Sequence, residues 1–338
     1  MSTRKPRVLL TNDDGPPGLD SPYIYGLYKH LTRDLGWDVK VVVPSSQKSW
    51  IGKAYQIKDI IRGRYYYPRD PDGQGDISEE SRPVREGELG EWILLDGTPA
   101  TCANIALHNL YNGEIDLLLS GPNLGRNTSS AFALSSGTIG AALSSSLSRV
   151  RSIALSYGTV QRAPSPSLHA PAHTLSGRII QRLWDEWGAD EGGLRAEEVD
   201  LYNVNIPMVD GLLAEDGLPV LWTRIWRNTY GRLFKEQSPE GQQTISGSSA
   251  GPDAPETPGQ KGKVADVPGG GLVFKFAPDM TGLIGRKLSS MPEGSDGWAI
   301  EKGWASVTPL RASFAEPPAN ELFTSSGEIQ DRVWKMKL

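Results

Sequence analysis

The sequence predicts an α/β fold built on a Rossmann-like, mostly parallel sheet with helices on its faces. Two observations carry that prediction. Short apolar strands alternate with helix-like segments from Arg7 to Pro207, and oxygen-bearing polar residues fall where strand after strand gives way to its loop, as open α/β sheets require of a ligand site. The length, 338 residues, is ample for a sizeable buried core.

The elements read in order as follows. "RVLLT" is a strand and Ser21 to Leu35 a helix. "VKVVVP" follows as a second strand. "WILLDG" precedes a helix from Pro99 to Leu110, "IDLLLSG" precedes one from Ser136 to Leu147, and "RSIALS" is the next strand. Leu175, Ile179, Ile180, Leu183, Trp184 and Trp187 recur at helical spacing and form a packing face, and "VDLYNVNIP" from Val199 supplies a further strand. Two polar, turn-rich tracts, Pro68 to Gly90 and Gln237 to Gly271, contain too little apolar material for a core and read as surface excursions. The second lies between "RIWRNTYGRLFK" and "GLVFKFAP", which predicts an extended hairpin arm carrying a flexible insert. The expected organisation is one domain over 1–338, with an α/β catalytic core over 1–220. The remainder, 221–338, would supply the arm, its insert at 237–271, and C-terminal oligomerisation elements in which Ile329, Val333 and Met336 share a helix face.

Bulk properties exclude several classes. A net charge of -5, from 35 basic and 40 acidic residues, offers no electrostatic basis for stable DNA binding. The single cysteine, Cys102, cannot form an internal disulfide, and the four histidines are scattered rather than spaced for zinc, so a reducing, cytoplasmic location is expected. No apolar run reaches the roughly 20 residues that span a bilayer, and none precedes the first strand, so neither an anchor nor a secretory signal is expected.

The strand ends hold the chemistry. After the first strand come Asn12, Asp13 and Asp14; after the second, Ser45, Ser46, Lys48 and Ser49; after the third, "DGTP"; after the fourth, "SGPNLGRNTSS" with Asn123 and Asn127. This set is rich in oxygen donors and lacks thiolate and imidazole, which suits magnesium, manganese or calcium, and a cation would offset the repulsion between Asp13 and Asp14. "NDDG" is also a turn sequence in its own right. The two readings are compatible, because neighbouring strand residues face opposite ways and both carboxylates reach one ion only if the chain turns at "DDGPPG". "SGPNLGRN" matches neither a dinucleotide fingerprint nor a Walker A loop. Downstream, "SSGTIGAALSS" opens a small-residue helix whose first N–H groups, with the Ser136 and Thr138 hydroxyls, suit a phosphate; an ordinary N-cap at Ser135 or Ser136 is the alternative.

Laid side by side, "LLTNDDG", "VVVPSSQKS", "LLDGTPATCANIAL", "DLLLSGPNLGRN", "SSGTIGAAL", "YNVNIP", "TRIWRNTYGR" and "EGSDGWAIEKGWASVTPL" resemble the SurE survival-protein family of metal-dependent phosphatases and nucleotidases, in a eukaryotic or fungal-like form. The resemblance implies a three-layer fold with a projecting hairpin arm and an exchanged C-terminal element, one divalent ion per subunit, and a homodimer or homotetramer. It implies metal ligands at Asp13, Asp14, Ser49 and Asn123, and a phosphate pocket at Asn127, Ser136, Gly137 and Thr138. It departs from the family pattern at Pro122, where the family commonly has isoleucine, and at Ala100 and Thr101, where an aspartate is usual; Lys48 and bulky Trp50 flank Ser49, with Trp50 readable as a base-stacking or a packing residue. The expected activity is metal-dependent hydrolysis of nucleoside monophosphates or other small phosphate esters. In it Asp14 is the group nearest the attacking water, Asp13 a structural ligand, and Asn127 a phosphate contact; direct attack by an aspartate is the other route. A sugar-nucleotide glycosyltransferase and an inactive oligomeric scaffold are the rival functions.

Overall fold

The computed structural model describes residues 5–158, 164–187, 199–236, 272–280, 283, 288–315 and 336. The strands are β1 (Arg7–Thr11), β2 (Asp38–Pro44), β3 (Gly63–Pro68), β4 (Gly75–Ser78), β5 (Trp92–Leu95), β6 (Leu117–Leu124), β7 (Arg151–Gly158), β8 (Leu201–Pro207), β9 (Val220–Trp222), β10 (Phe234–Glu236), β11 (Phe274–Phe276) and β12 (Ala305–Leu310). The α-helices are α1 (Ile24–Lys29), α2 (Pro99–Ile105), α3 (Ser129–Ser135), α4 (Gly137–Leu147), α5 (His169–Asp185) and α6 (Asp296–Glu301). Both α1 and α2 run on into a π-helical turn, His30–Asp34 and Ala106–Leu110 respectively, so the helical spans expected from periodicity are met.

Ten strands form one sheet in the order β4-β3-β5-β2-β1-β6-β7-β8-β12-β9. The stretch from β5 through β2, β1, β6 and β7 to β8 is parallel, as the alternating sequence predicts. Val8, Leu9 and Leu10 of β1 are fully buried, because a central parallel strand is covered on both faces. One layer packs α1 and α5 through Tyr23, Leu27, Leu31, Ile180 and Leu183. The other packs α2 and α4 through Cys102, Ala103, Ile139, Ala141 and Ala142, whose small size lets the two helices approach.

The edges were less legible. β3 and β4 form an antiparallel pair beside β5, so the polar tract after Pro68 is a surface excursion that also contributes an edge strand. Its anchor is Glu88, whose side chain is fully buried while Arg82 and Arg69 reach it at 2.7 and 3.0 Å. At the other edge β12 inserts between β8 and β9, antiparallel to β8. Residues beyond 220 therefore complete the sheet with β9 and β12, besides forming the antiparallel β10–β11 hairpin, where Phe234 faces Phe276. The tract 237–271 and the C-terminal residues Ile329 and Val333 lie outside the described residues; Met336 is exposed. No described helix is long and apolar enough to cross a membrane, and Cys102 is a buried free thiol.

Candidate metal and phosphate site

The turn after β1 is fixed by Asn12, whose Nδ2 donates to the Gly15 carbonyl at 2.8 Å and to Ser21 Oγ at 2.9 Å while its Oδ1 accepts the Gly15 N–H. Gly15 has φ +88, and a Cβ there would sit 3.3 Å from the Ser46 backbone. Glycine is thus what lets the first loop lie against the second. The Lys48 N–H closes the contact on the Asp13 carbonyl at 2.7 Å, so Ser49 is the next residue of a loop fastened to the first.

Asp13 and Asp14 are each only 3 % exposed. Asp13 turns toward the start of α4. Its Oδ1 accepts the Thr138 hydroxyl at 2.5 Å, and the Gly137 and Thr138 backbone N–H groups also favour its charged form. A helix N-terminus attracts an anion, and here that anion is a carboxylate of the chain itself. Asp14 points the other way, with Oδ2 accepting the Leu124 N–H at 2.8 Å. Its Oδ1 is buried and meets no partner in hydrogen-bond geometry, although the Gln47 side chain lies near enough to favour the charged form of Asp14. Burial raises the proton affinity of both groups; Asp14 is pushed well above the usual carboxylate range, first by desolvation and then by the charge of Asp13.

β6 runs further than its apolar core, through Pro122 and Asn123 to Leu124, with a register shift between Ser120 and Asn123 where it pairs with β7. The shift needs Gly121, at φ +122, because any side chain there would collide with the Leu155 carbonyl. Asn123 Nδ2 donates to the Gly125 carbonyl at 2.8 Å, a bond that does not use the acceptor Oδ1 of the same amide. Asn127 is pinned on three sides: its N–H donates to Asn205 Oδ1 at 2.7 Å, its carbonyl accepts Asn203 Nδ2 at 2.8 Å, and its Nδ2 donates to Ser156 Oγ at 2.9 Å. Ser136 caps α4, its Oγ accepting the Ile139 N–H at 3.1 Å, so the cap expected at Ser135 or Ser136 is at Ser136. A Cβ on Gly137 would meet the Asp13 Cβ at 2.8 Å.

Contacts thus join Asp13 to Gly137 and Thr138 at the start of α4, and Asp14 to the Leu124 N–H next to Asn123, while Asn127 is held by the ends of β7 and β8 and Ser49 follows Lys48 in the second loop. Among the described residues no three of His, Cys, Asp or Glu cluster as a metal site. The donor set does suit a hard divalent cation, since two carboxylates are supplemented by neutral oxygens at Asn123 and Ser49 and one buried carboxylate oxygen has no partner. Trp50, at φ +61, packs its ring against Phe132, Tyr230 and Phe276 with centroids 6.0, 6.2 and 5.2 Å away, which joins the second loop to the hairpin. In place of a carboxylate after "GTP", the Thr98 and Thr101 hydroxyls meet at 3.0 Å.

Residues 8–232 match the family of the survival protein SurE. This chain belongs to the SurE family. Among its relatives is a "5'-nucleotidase SurE" of Geobacter metallireducens, 26 % identical over 90 % of both chains. Another is the "Probable tubulin--tyrosine ligase PBY1" of Saccharomyces cerevisiae, 33 % identical over 91 % of this chain; the match spans 41 % of that longer protein. The SurE protein of Aquifex aeolicus shares the fold, with a TM-score of 0.57 at 22 % identity over 91 % of this chain and 94 % of that one.

Sequence reasoning missed the supports of the SurE site. Asn203 and Asn205 are fully buried, and the signal for them was present: two asparagines at period two on one face of an apolar strand. Asp296 gave no such signal, because its partners come from two other chain segments. A cleft of about 920 Å³ lies between α1, α5 and the turn at Pro71 to Gln74, and Gly18 and Leu19 also line it. Its cations Lys29 and Arg33 are both paired with Asp70.

Proposed function

We propose that the chain is a divalent-metal-dependent phosphomonoesterase acting on nucleoside monophosphates or similar small phosphate esters. The observation that carries this reading is the unpartnered, buried Asp14 Oδ1 beside Asp13 at a parallel strand end, in a family whose relatives include proteins named 5'-nucleotidase. Asp13, Asp14, Asn123 Oδ1 and the Ser49 hydroxyl would hold one ion, magnesium or manganese. Bound there, the ion supplies charge neutralisation at the phosphate and lowers the pKa of a coordinated water.

The chain's own groups divide the remaining work. Asp14, at the strand end, orients the attacking water and takes up its proton. Thr138, Gly137 and the start of α4 keep Asp13 ionised and aimed. The Ser136 hydroxyl and the Asn127 amide hold phosphate oxygens, and Asn203, Asn205 and Ser156 fix Asn127 so that its amide is already in place when the phosphate binds. The exposed Phe234 and Phe274 of the hairpin suit burial against a second copy, in keeping with a homodimer or homotetramer.

The test is phosphate release from nucleoside monophosphates and a simple aryl phosphate, in chelator and after restoring magnesium or manganese. Release that depends on metal is expected. Turnover only with a nucleotide-sugar donor, or none with any metal, overturns the reading.

A further inference from the structure

Asp296 is a fully buried carboxylate remote in sequence from every residue of the site. Its Oδ2 accepts the Ser129 N–H at 2.7 Å, and its Oδ1 accepts the N–H groups of Trp226 at 2.9 Å and Gly297 at 2.7 Å. Among the described residues it has no cationic partner, so three backbone N–H groups from three chain segments are what hold its charge. Ser129 stands at φ +71, a left-handed conformation that non-glycine residues rarely adopt and that persists only when its surroundings enforce it.

The same carboxylate begins a set of contacts that caps α3 from outside. After the Ser129 N–H on Asp296, the Ser130 N–H donates to the Trp226 carbonyl at 2.9 Å and the Ala131 N–H to Asn228 Oδ1 at 2.9 Å. Thr128, at the N-cap position, makes no side-chain cap of its own. The first turn of α3 therefore depends on residues 226–228 and 296 for partners that helices usually find locally. Two residues upstream, Asn127 is fastened to β8 by Asn203 and Asn205. The Asn127–Ser129 stretch is a short bridge with one end on the sheet and the other on Asp296.

We propose that Asp296 is a positioning residue: it sets the far end of this bridge so that Asn127 presents its amide to the substrate phosphate. It also ties that loop to the segment 226–230, which packs on Trp50 through Tyr230. The proposal rests on the phosphatase reading for its ligand, while the loop's dependence on Asp296 is independent of turnover. Asparagine at this position keeps one acceptor oxygen but sets an NH₂ group against one of the three N–H donors, so Asp296→Asn weakens the hub without emptying it.

The experiment uses the full chain with manganese and compares wild type with Asp296→Asn and, should that variant not fold, Asp296→Glu. Amide exchange over 124–134 should accelerate about tenfold, inorganic phosphate binding and KM should weaken about tenfold, and kcat and manganese affinity should stay within about threefold. Exchange, phosphate affinity and KM equal to wild type in a hydrolytically active enzyme overturn this proposal alone. A loss of manganese affinity equal to that of phosphate affinity also overturns it, since general loosening predicts that. If the wild-type chain binds phosphate but releases none from any ester, the phosphatase reading falls and exchange with phosphate affinity still decides the role of Asp296. A wild-type chain that binds no phosphate overturns both.

Discussion

The Thr138 hydroxyl donates to Asp13 Oδ1 across 2.5 Å, joining residues 125 positions apart and fastening the first turn of α4 to the loop after β1. This bond fixes which lone pairs of Asp13 remain for a cation. Replacing Thr138 by Val keeps the shape and removes the donor. Metal affinity should fall about tenfold or more, while Thr138→Ser should stay near wild type. Calorimetric manganese titration of the three proteins decides it, and equal affinities for wild type and Thr138→Val would remove Thr138 from the site's support.

Asp14 carries the costliest charge in the site, buried beside Asp13 and lacking a partner at Oδ1. Asp14→Asn should lower turnover by about a hundredfold or more at subsaturating metal. In chelator the same change should raise Tm by about 1–2 °C, about 1 kcal/mol, because like-charge repulsion is gone. Paired activity and melting measurements test both halves; wild-type turnover would end the assignment.

Gly137 leaves no room for a side chain, since an added Cβ would approach the Asp13 Cβ to 2.8 Å. Gly137→Ala must push Asp13 or α4 aside, with a stability loss of about 1–3 kcal/mol and a larger loss of activity. Denaturant unfolding alongside kcat/KM measures this, and an unperturbed variant would mean that α4 shifts freely.

Asp296 gives the chain a pH signature. Burial pushes its carboxyl up to about 6, so the folded chain keeps a proton that the unfolded chain has already released. Stability from that proton is complete below pH ~4 and lost as pH rises through about 6, a change of about 3 kcal/mol. Asp296→Asn cannot lose it. In chelator, the Tm of the variant relative to wild type should climb between pH ~4 and ~7; parallel Tm curves would contradict the assignment of this titration.

The tract from Gln237 to Gly271 is poor in apolar residues. Replacing its central portion with a short glycine-serine link should leave Tm within about 2 °C and turnover near wild type, because loop length changes closure entropy only slowly. A large fall in Tm would mean that the tract packs on the body.

The parallel centre of the sheet and the candidate ligands were readable from sequence, because each rests on local information. Apolar runs such as "RVLLT" specify buried strands, glycines and prolines specify turns, and the strand-end rule collects the loops that carry Asp13, Asp14, Ser45 to Ser49 and Asn123, from which the family resemblance singles out Asp13, Asp14, Ser49 and Asn123 as ligands. Asn203 and Asn205 left a period-two trace in "YNVNIP", although their task, holding Asn127, is visible only in three dimensions. What tertiary structure alone decided is the use of each group. It gave Thr138 and the α4 amides to Asp13, placed β12 between β8 and β9, set Trp50 among Phe132, Tyr230 and Phe276, and brought Asp296 under Ser129. The reason is physical: a buried polar atom must find a partner, and the partner nearest in space can lie 125 or 167 residues away along the chain, where no local pattern records it.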